Sequence, residues 1–284
     1  MSSKLRAVAY RMLGSFAEAE EVVQEAEIKF LKFERSEKGQ ARSQIHSKEA
    51  YMTRIVVNLC VDRLRRLKLE REHYSGPWLP DVVADDVFDD LALAEDLTLG
   101  MLLLLENLSP AERITYVLRE AFDYSYAEVA DVLDTSVANA RQRMTRARAR
   151  LRGQPQPEHL PDAECKALLE QMIGYIEQGD IAALTGMLAE DVVALTDGGG
   201  IVSAAIAPVY GADRIAQVTL FLAQKAMSEE PTSLAIERVN GAWAVVMRQA
   251  DGIHSVSLIE GRDGQVSRIY VMRNPEKLAA ISQG

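Results

Sequence analysis

Residues 124–152 read YSYAEVADVLDTSVANARQRMTRARARLR, and this stretch predicts two helices joined by a tight turn. Ser125 can cap the first helix, and Glu128 three residues on completes a capping box. Val129, Ala130, Val132 and Leu133 supply its buried stripe. Asp134-Thr135-Ser136 breaks the pattern, and Ser136 offers a fresh cap for a second helix. At about 100° per residue, Ala140, Met144, Ala147 and Leu151 share one face of that helix. Ala138, Gln142, Thr145 and Ala149 share the opposite face, and all are small or slender. Arg141, Arg148 and Arg152 flank it on one side; Arg143, Arg146 and Arg150 flank it on the other. A helix laid in a DNA major groove needs this arrangement. Short side chains let the backbone approach base edges, and flanking guanidiniums reach the phosphates. The bland alternative is a solvated arginine face. However, no acid interrupts 141–152 in a chain whose formal charge is −10, and that segregation favours DNA.

Outward from this hairpin, a length of 284 residues predicts about two domains, and a hydrophobic fraction of 48% is ample for real cores. Two cysteines, Cys60 and Cys165, lie far apart in apolar helical patterns. They form neither a metal-spaced cluster nor a disulfide framework, so a reducing cytoplasm is expected. The apolar run Leu97–Leu105 is too short for the ~20 residues of a membrane span. No metal site, nucleotide loop or other cofactor is expected.

Along the N-terminal part, Leu5–Leu13 predicts a short helix ending at Gly14. Ser15, with Glu18 at the box position, opens a second helix with Ala19, Val22, Val23, Ala26, Phe30 and Phe33 inside. Glu20, Glu21, Glu25 and Glu27 make its other face acidic. Glu34–His46 is loop-like. Ser47 is expected to cap a third helix with Met52, Ile55, Val56, Leu59 and Leu67 inside and a basic C-terminal half. Pro77 and Pro80 close that pattern, and Trp78-Leu79 between them form an apolar hook that a linker does not need. Asp81–Asp96 then holds seven acids and no base, the mark of a linker. Helical pattern resumes over Leu97–Leu108. Ser109-Pro110-Ala111-Glu112 is a strong helix start leading into the hairpin.

After the break at Gly153–Pro157 the pattern becomes α+β. Helices are predicted at Asp162–Gln178, Ile181–Leu188 and Asp213–Ala226, and a strand at Val192–Leu195. Four strand-like runs follow: Ser233–Val239, Ala242–Gln249, Ile253–Glu260 and Gln265–Met272. Asn240-Gly241, Asp251-Gly252 and Asp263-Gly264 between them are hairpin signals. The expectation is a curved sheet wrapped on helices and enclosing a cavity.

Several of these segments resemble a known family. AYRMLGSFAEAEEVVQEAEIKFLKF, KEAYMTRIVVNLCVDRLRRLK and LSPAERITYVLREAFDYSYAEVADVL with its hairpin resemble the extracytoplasmic-function (group 4) branch of the sigma-70 family. The C-terminal part resembles the SnoaL-like, ketosteroid-isomerase-like fold. The fused subgroup, loosely the SigJ-like sigma factors, carries three marks. They stand here as Trp78-Leu79-Pro80, Asp197-Gly198-Gly199-Gly200 and Asn274-Pro275-Glu276-Lys277-Leu278. Asp134 replaces the usual turn glycine, Glu27-Ile28 stands where an aromatic is frequent, and Ile201 replaces the usual lysine.

The resemblance implies a multidomain chain: sigma domain 2 at 1–75, an acidic linker at 76–96, sigma domain 4 at 97–153 and a SnoaL-like regulatory domain at 159–284. It implies two partners, core RNA polymerase and promoter DNA, and leaves room for an unidentified small-molecule ligand in the C-terminal domain. Glu20, Glu21, Gln24 and Glu25 would meet the polymerase. Arg54, Asn58, Arg63 and Arg66 would lie beside the −10 element. Ser136, Ala138, Asn139, Arg141, Gln142, Arg143, Thr145, Arg146, Arg148 and Arg150 would meet the −35 element, with Arg141, Gln142 and Thr145 nearest the bases. The alternative is a stand-alone helix-turn-helix regulator that senses a ligand, against which the second basic module argues. An enzyme in the C-terminal domain would need a base and an oxyanion donor in one cavity. Asp197, Tyr210, Asp213 and His254 are the candidates; turn and cap geometry explains the two aspartates more simply, and His254 shows no evident partner. The hook is expected to pack on the Asp197–Gly200 turn or the Asn274–Leu278 tail, where the C-terminal domain would replace a separate anti-sigma protein.

Overall fold

The computed structural model describes residues 2–35, 48–84, 98–158, 160–279 and 281. Ser47, the 36–46 part of the first loop and the acidic stretch from 85 onward lie outside the described residues. Contacts divide the chain into two compact units. The first takes in Met1–Glu72 and Met101–Gln156; the second takes in His73–Val87, Thr98–Gly100 and Pro157–Gly284. Residues 73–84 and 98–100 thus cluster with the second unit.

The first unit is helical. α1 (Ser2–Leu13), α2 (Phe16–Glu34) and α3 (Lys48–Arg71) pack on one another. Ala19, Val22, Val23, Ala26 and Phe30 face inward from α2 as its period requires. The α3 stripe is rotated from the expected one: Met52, Thr53, Val56, Val57, Cys60 and Leu64 are buried, whereas Ile55, Leu59 and Leu67 are only half-buried. Nor is Ser15 a side-chain cap, because Glu18 turns to Arg63 and Arg66 of α3 instead of closing a box.

α4 (Leu99–Leu105), α5 (Pro110–Tyr116), α6 (Tyr126–Val132) and α7 (Val137–Arg152) follow. Reciprocal bonds between Ser109 and Glu112, and between Ser125 and Glu128, open α5 and α6. Each satisfies two otherwise orphaned backbone donors. After α5 the chain widens into a π turn, Val117–Ala121, which no sequence period announced. Arg113, 1% exposed, lies within the first unit with its Nε donating to the Arg11 carbonyl at 3.0 Å. Glu106 holds both Arg113 and Arg71.

The second unit stacks α8 (Asp162–Gln178), α9 (Ile181–Gly186) and α10 (Ala212–Glu229) against one sheet. Its strands are β1 (Leu188–Asp197), β2 (Val209–Tyr210), β3 (Ser233–Val239), β4 (Ala242–Gln249), β5 (Gly252–Arg262) and β6 (Gln265–Met272). The order is β2-β1-β6-β5-β4-β3, antiparallel except for the β1–β6 pair. Hairpin residues Asn240 (φ 53°) and Gly241 (φ 72°), like Asp263 (φ 52°) and Gly264 (φ 75°), take the left-handed backbone that matches strand twist. Bulges at Glu260/Gly261, Met247/Arg248 and Leu188/Val193 curve the sheet. Leu169, Val192, Ile215, Ala216 and Val266 form the centre of the core. α11 (Pro275–Leu278), capped by Asn274, is the last element among the described residues. The sequence reading began β1 four residues late and missed β2, whose two residues are too few to show a pattern.

Burial raises the Glu106 pKa, but Arg113 and Arg71 outweigh it and hold the carboxyl below its usual value. The stabilisation is therefore complete above the ordinary carboxylate range and is lost as pH falls through the depressed folded-state value. Glu106→Ala should cost about 3 kcal/mol, since it leaves the deeply buried Arg113 charge uncompensated. Denaturant melts of wild type and variant at neutral pH check this, and the gap between them should close in acid.

Candidate functional site

The outer face of α7 is set by its cap and its turn. Ser136 accepts from the Asn139 amide at 3.1 Å, and Asp134 takes the left-handed backbone, φ 47°, that the tight turn demands. With Ala140, Met144, Ala147 and Leu151 buried, Ala138, Gln142, Thr145 and Ala149 stand exposed together. Arg141 lies over the Tyr126 ring, 5.6 Å from its centroid. Arg148 bonds Glu120 at 2.7 Å, and Arg150 reaches Glu112 at 3.1 Å. The Arg148–Glu120 pair is exposed and worth little in itself, so a phosphate can displace that acid at small cost, whereas Arg150 answers the buried Glu112 that also closes the Ser109 capping box.

The α3 arginines are more committed than their spacing suggested. Arg63 binds Glu18 at 2.9 Å and Glu21 at 3.0 Å, and Arg66 binds Glu18 at 3.0 Å and Glu70 at 3.3 Å. Arg54 lies 3.4 Å from Asp134, and the Thr53 and Tyr124 hydroxyls lie 3.4 Å apart, so this helix meets the helix-turn-helix inside one compact unit. Asn58 is exposed. On α2, Glu21 and Gln24 are exposed, Glu20 is within 4.0 Å of Arg6, and Glu25 pairs with Lys29 at 2.9 Å. Ile28 and Leu31 stand 53% and 49% exposed on the same helix. The sequence reading treated that face as acidic alone and missed this apolar border.

In the second unit, the hook, the glycine turn and the C-terminal tail converge on the Asp197 carboxylate, which is fully buried. It accepts from the Tyr74 hydroxyl at 2.6 Å, the Leu79 amide at 2.9 Å, the Gly199 amide at 2.9 Å and the Lys277 ammonium at 2.8 Å. Lys277 also donates to the Leu79 carbonyl and lies 4.5 Å from the centroid of the half-buried Trp78 ring. Leu79 and Pro80 are buried. Asn274 donates to the Tyr74 oxygen at 3.0 Å, and the Arg273 and Asn274 amides both donate to the Asp197 carbonyl. Burial and the Asp197 charge push the Tyr74 pKa up. Gly199 (φ 66°) has no alternative, because a Cβ there would sit 2.4 Å from the Asn274 amide nitrogen.

A second grip lies farther along the same segment. The Asn240 side-chain oxygen accepts from the Val83 amide at 2.8 Å, its own amide donates to the Val83 carbonyl at 3.0 Å, and Ala84 bridges Val239. Tyr74 and Asn240 were not among the expected site residues. Asn240 looked like ordinary hairpin chemistry, and nothing marks a lone Tyr before a proline pair.

The helices and curved sheet also enclose a cavity of about 550 Å³. Of the catalytic candidates only His254 lines it; Tyr210 and Asp213 are exposed, and Asp197 is occupied by its own four donors. The four are not assembled into one site. His254 does have a partner, contrary to the sequence reading: Arg273 Nη2 lies 3.0 Å from its Nε2. Among the described residues no group of acids, histidines or cysteines could hold a metal ion, and no helix is long and apolar enough to cross a membrane.

Residues 2–70 match the family model described as Sigma-70 region 2, and residues 99–151 match Sigma-70, region 4. The chain is 32% identical over 286 residues to "ECF RNA polymerase sigma factor SigJ" of Mycobacterium tuberculosis (strain ATCC 25618 / H37Rv), covering 96% of this chain and 89% of that one. It is 26% identical over 277 residues to "Probable ECF RNA polymerase sigma factor SigI" of Mycobacterium tuberculosis (strain CDC 1551 / Oshkosh), with coverages of 95% and 90%. The crystal structure of the Mycobacterium tuberculosis extracytoplasmic function sigma factor SigJ is similar along its length. Its TM-score is 0.75 at 29% identity, covering 98% of this chain and 96% of that chain.

Asp197→Ala should free the Leu79 amide. A hydrogen bond to a charged acceptor is worth roughly 1.5–3 kcal/mol, so hydrogen exchange at Leu79 should accelerate by about 10- to 100-fold. The Val83 amide, held by Asn240, should change less. Equal acceleration at both would mean that the segment is held as a single clamp.

Proposed function

The chain belongs to the extracytoplasmic-function RNA polymerase sigma factors, and from that premise we propose how its surfaces divide the work. As a sigma factor it binds core RNA polymerase and promoter DNA and directs transcription initiation; it is not an enzyme. In our reading α7 enters the major groove of the −35 element. Arg141, Gln142 and Thr145 are nearest the bases, while Ser136, Ala138, Asn139, Arg143, Arg146, Arg148 and Arg150 face the groove wall and phosphates. Asn58 and Arg54, with Arg63 and Arg66 once released from their acids, serve the −10 element. Glu20, Glu21, Gln24 and Glu25 meet the polymerase, which locates the protein in the cytoplasm.

The α+β unit is the regulator of this activity, standing in for a separate anti-sigma protein, and its cavity is open to a small-molecule ligand. One observation carries that part. A fully buried carboxylate, Asp197, is satisfied by the Tyr74 hydroxyl and the Leu79 amide, groups that lie in sequence between the two sigma regions. A buried charge satisfied by a linker makes the linker's path part of that unit's stability, so any change in the unit is felt along the chain joining the two DNA readers.

Reconstituted transcription tests the whole reading. With core polymerase the protein should start transcripts at one promoter, while its own duplex affinity stays weak, since two modest contacts are joined only through polymerase. Tight, sequence-specific duplex binding without polymerase would favour a stand-alone regulator instead. On the holoenzyme, Gln142→Ala should relax base preference at one −35 position at a cost of about 1–3 kcal/mol. Arg146→Ala should weaken binding to all promoters alike and lower the salt-dependence slope by about 1.

A further inference from the structure

The cavity of the α+β unit is walled by apolar side chains, among them Met172, Ile176, Val218, Leu222, Val245 and Ile269. Its volume of about 550 Å³ is that of a small-molecule site. Two cations, Lys225 and Arg273, stand on this wall. The other arginines of the sheet and the tail lysine rest on carboxylates: Arg238 on Asp162, Arg248 on Glu237, Arg262 on Glu158 and Asp191, Arg268 on Glu260, and Lys277 on Asp197. Arg273 does not. Its guanidinium donates to the Ser203 carbonyl at 2.5 Å and to His254 Nε2 at 3.0 Å, both neutral acceptors. Burial lowers its pKa.

An arginine can only donate, so His254 Nε2 must be the acceptor and the imidazole proton sits on Nδ1. Burial, with the Arg273 charge second, depresses the His254 pKa and keeps the ring neutral at neutral pH. A guanidinium without an anion, braced by a neutral imidazole inside apolar walls, is an unfinished ion pair. A phosphate would call for more positive charge than one arginine supplies, and Glu229 and Glu230 on the cavity wall oppose a dianion. Lys225, the remaining cation on the wall, is already paired with Glu229 at 3.6 Å.

We propose that the cavity binds an apolar monocarboxylate, with its carboxylate on Arg273 and its hydrocarbon body among Met172, Ile176, Val218 and Leu222. The ligand reports directly to the linker grip. Arg273 and the next residue, Asn274, donate their backbone amides to the Asp197 carbonyl, at 2.8 and 2.9 Å. Ser203, which holds the guanidinium, directly follows the turn made by Asp197–Gly200 and Ile201-Val202. Drawing Arg273 toward a carboxylate therefore pulls on both strands of chain that frame Asp197. This coupling rests on the regulatory reading above; the binding site does not.

Calorimetric titration of the full chain with decanoate and 4-phenylbutanoate, each against its neutral amide, tests the site. The acids should bind about tenfold tighter than the amides or better, the worth of a charge-assisted pair. Arg273→Gln should abolish that preference and Arg273→Lys should restore part of it. Equal affinity for acid and amide in the wild type, or no binding of either acid up to its solubility limit, overturns the proposal without recourse to any variant. Acid binding that leaves promoter output unchanged in reconstituted transcription would overturn the regulatory reading and leave the site standing.

Discussion

A carboxylate with no solvent contact has to be met by donors, and at Asp197 those donors come from three separated stretches of chain. The Tyr74 hydroxyl and Leu79 amide come from the segment before the acidic stretch, Gly199 from the following turn, and Lys277 from the C-terminal tail. Leaving out any one of them would strand part of a buried charge, which costs more than the intact arrangement contributes. The segment 73–84 has almost no regular structure of its own, so its path is dictated by this carboxylate and by Asn240. The surrounding details follow from the same constraint. Glycine is obligatory where the turn passes Asn274, Lys277 is shared between Asp197 and the Leu79 carbonyl, and the Trp78 ring lies against the ammonium.

The helical unit meets the opposite requirement. A surface that reads DNA has to keep its arginines exposed and replaceable, and the Arg148–Glu120 pair on α7 is of that kind, with Arg148 52% exposed and its acid also in solvent. Such pairs fix a side chain loosely and yield to phosphate. Arg63 is held more firmly, 18% exposed between two glutamates of α2. Its use at a promoter requires α2 to yield those acids, which makes it the least accessible of the four −10 candidates.

Much of this fold was legible in the sequence because its signals are local. The capping boxes at Ser109 and Ser125, the cap at Ser136, the hairpins at Asn240 and Asp263, and the bounds of α8, β3, β4 and β6 all follow from chemistry within a few residues. What failed was decided at long range. Ser15 looked like a box with Glu18 until two α3 arginines competed for that glutamate, and the α3 stripe turned because Cys60 and Leu64 pack inward in place of Leu59 and Leu67. The site divided in the same way. The tryptophan hook, the glycine turn and the tail could each be picked out by their composition. That they meet on one buried carboxylate, together with Tyr74, and that His254 meets Arg273, depends on pairings more than a hundred residues apart or across a sheet, which no local pattern encodes.

The central claim is that the α+β unit governs promoter use through its hold on the linker. The direct measurement is promoter-specific transcript yield from holoenzyme reconstituted with the Asp197→Ala chain, at matched core-polymerase occupancy, with Lys277→Met as the milder variant. The account predicts a several-fold change in yield, the same in direction for both variants, with binding to core polymerase unaltered. Yields equal to wild type for both, with the Leu79 amide demonstrably freed, would contradict it.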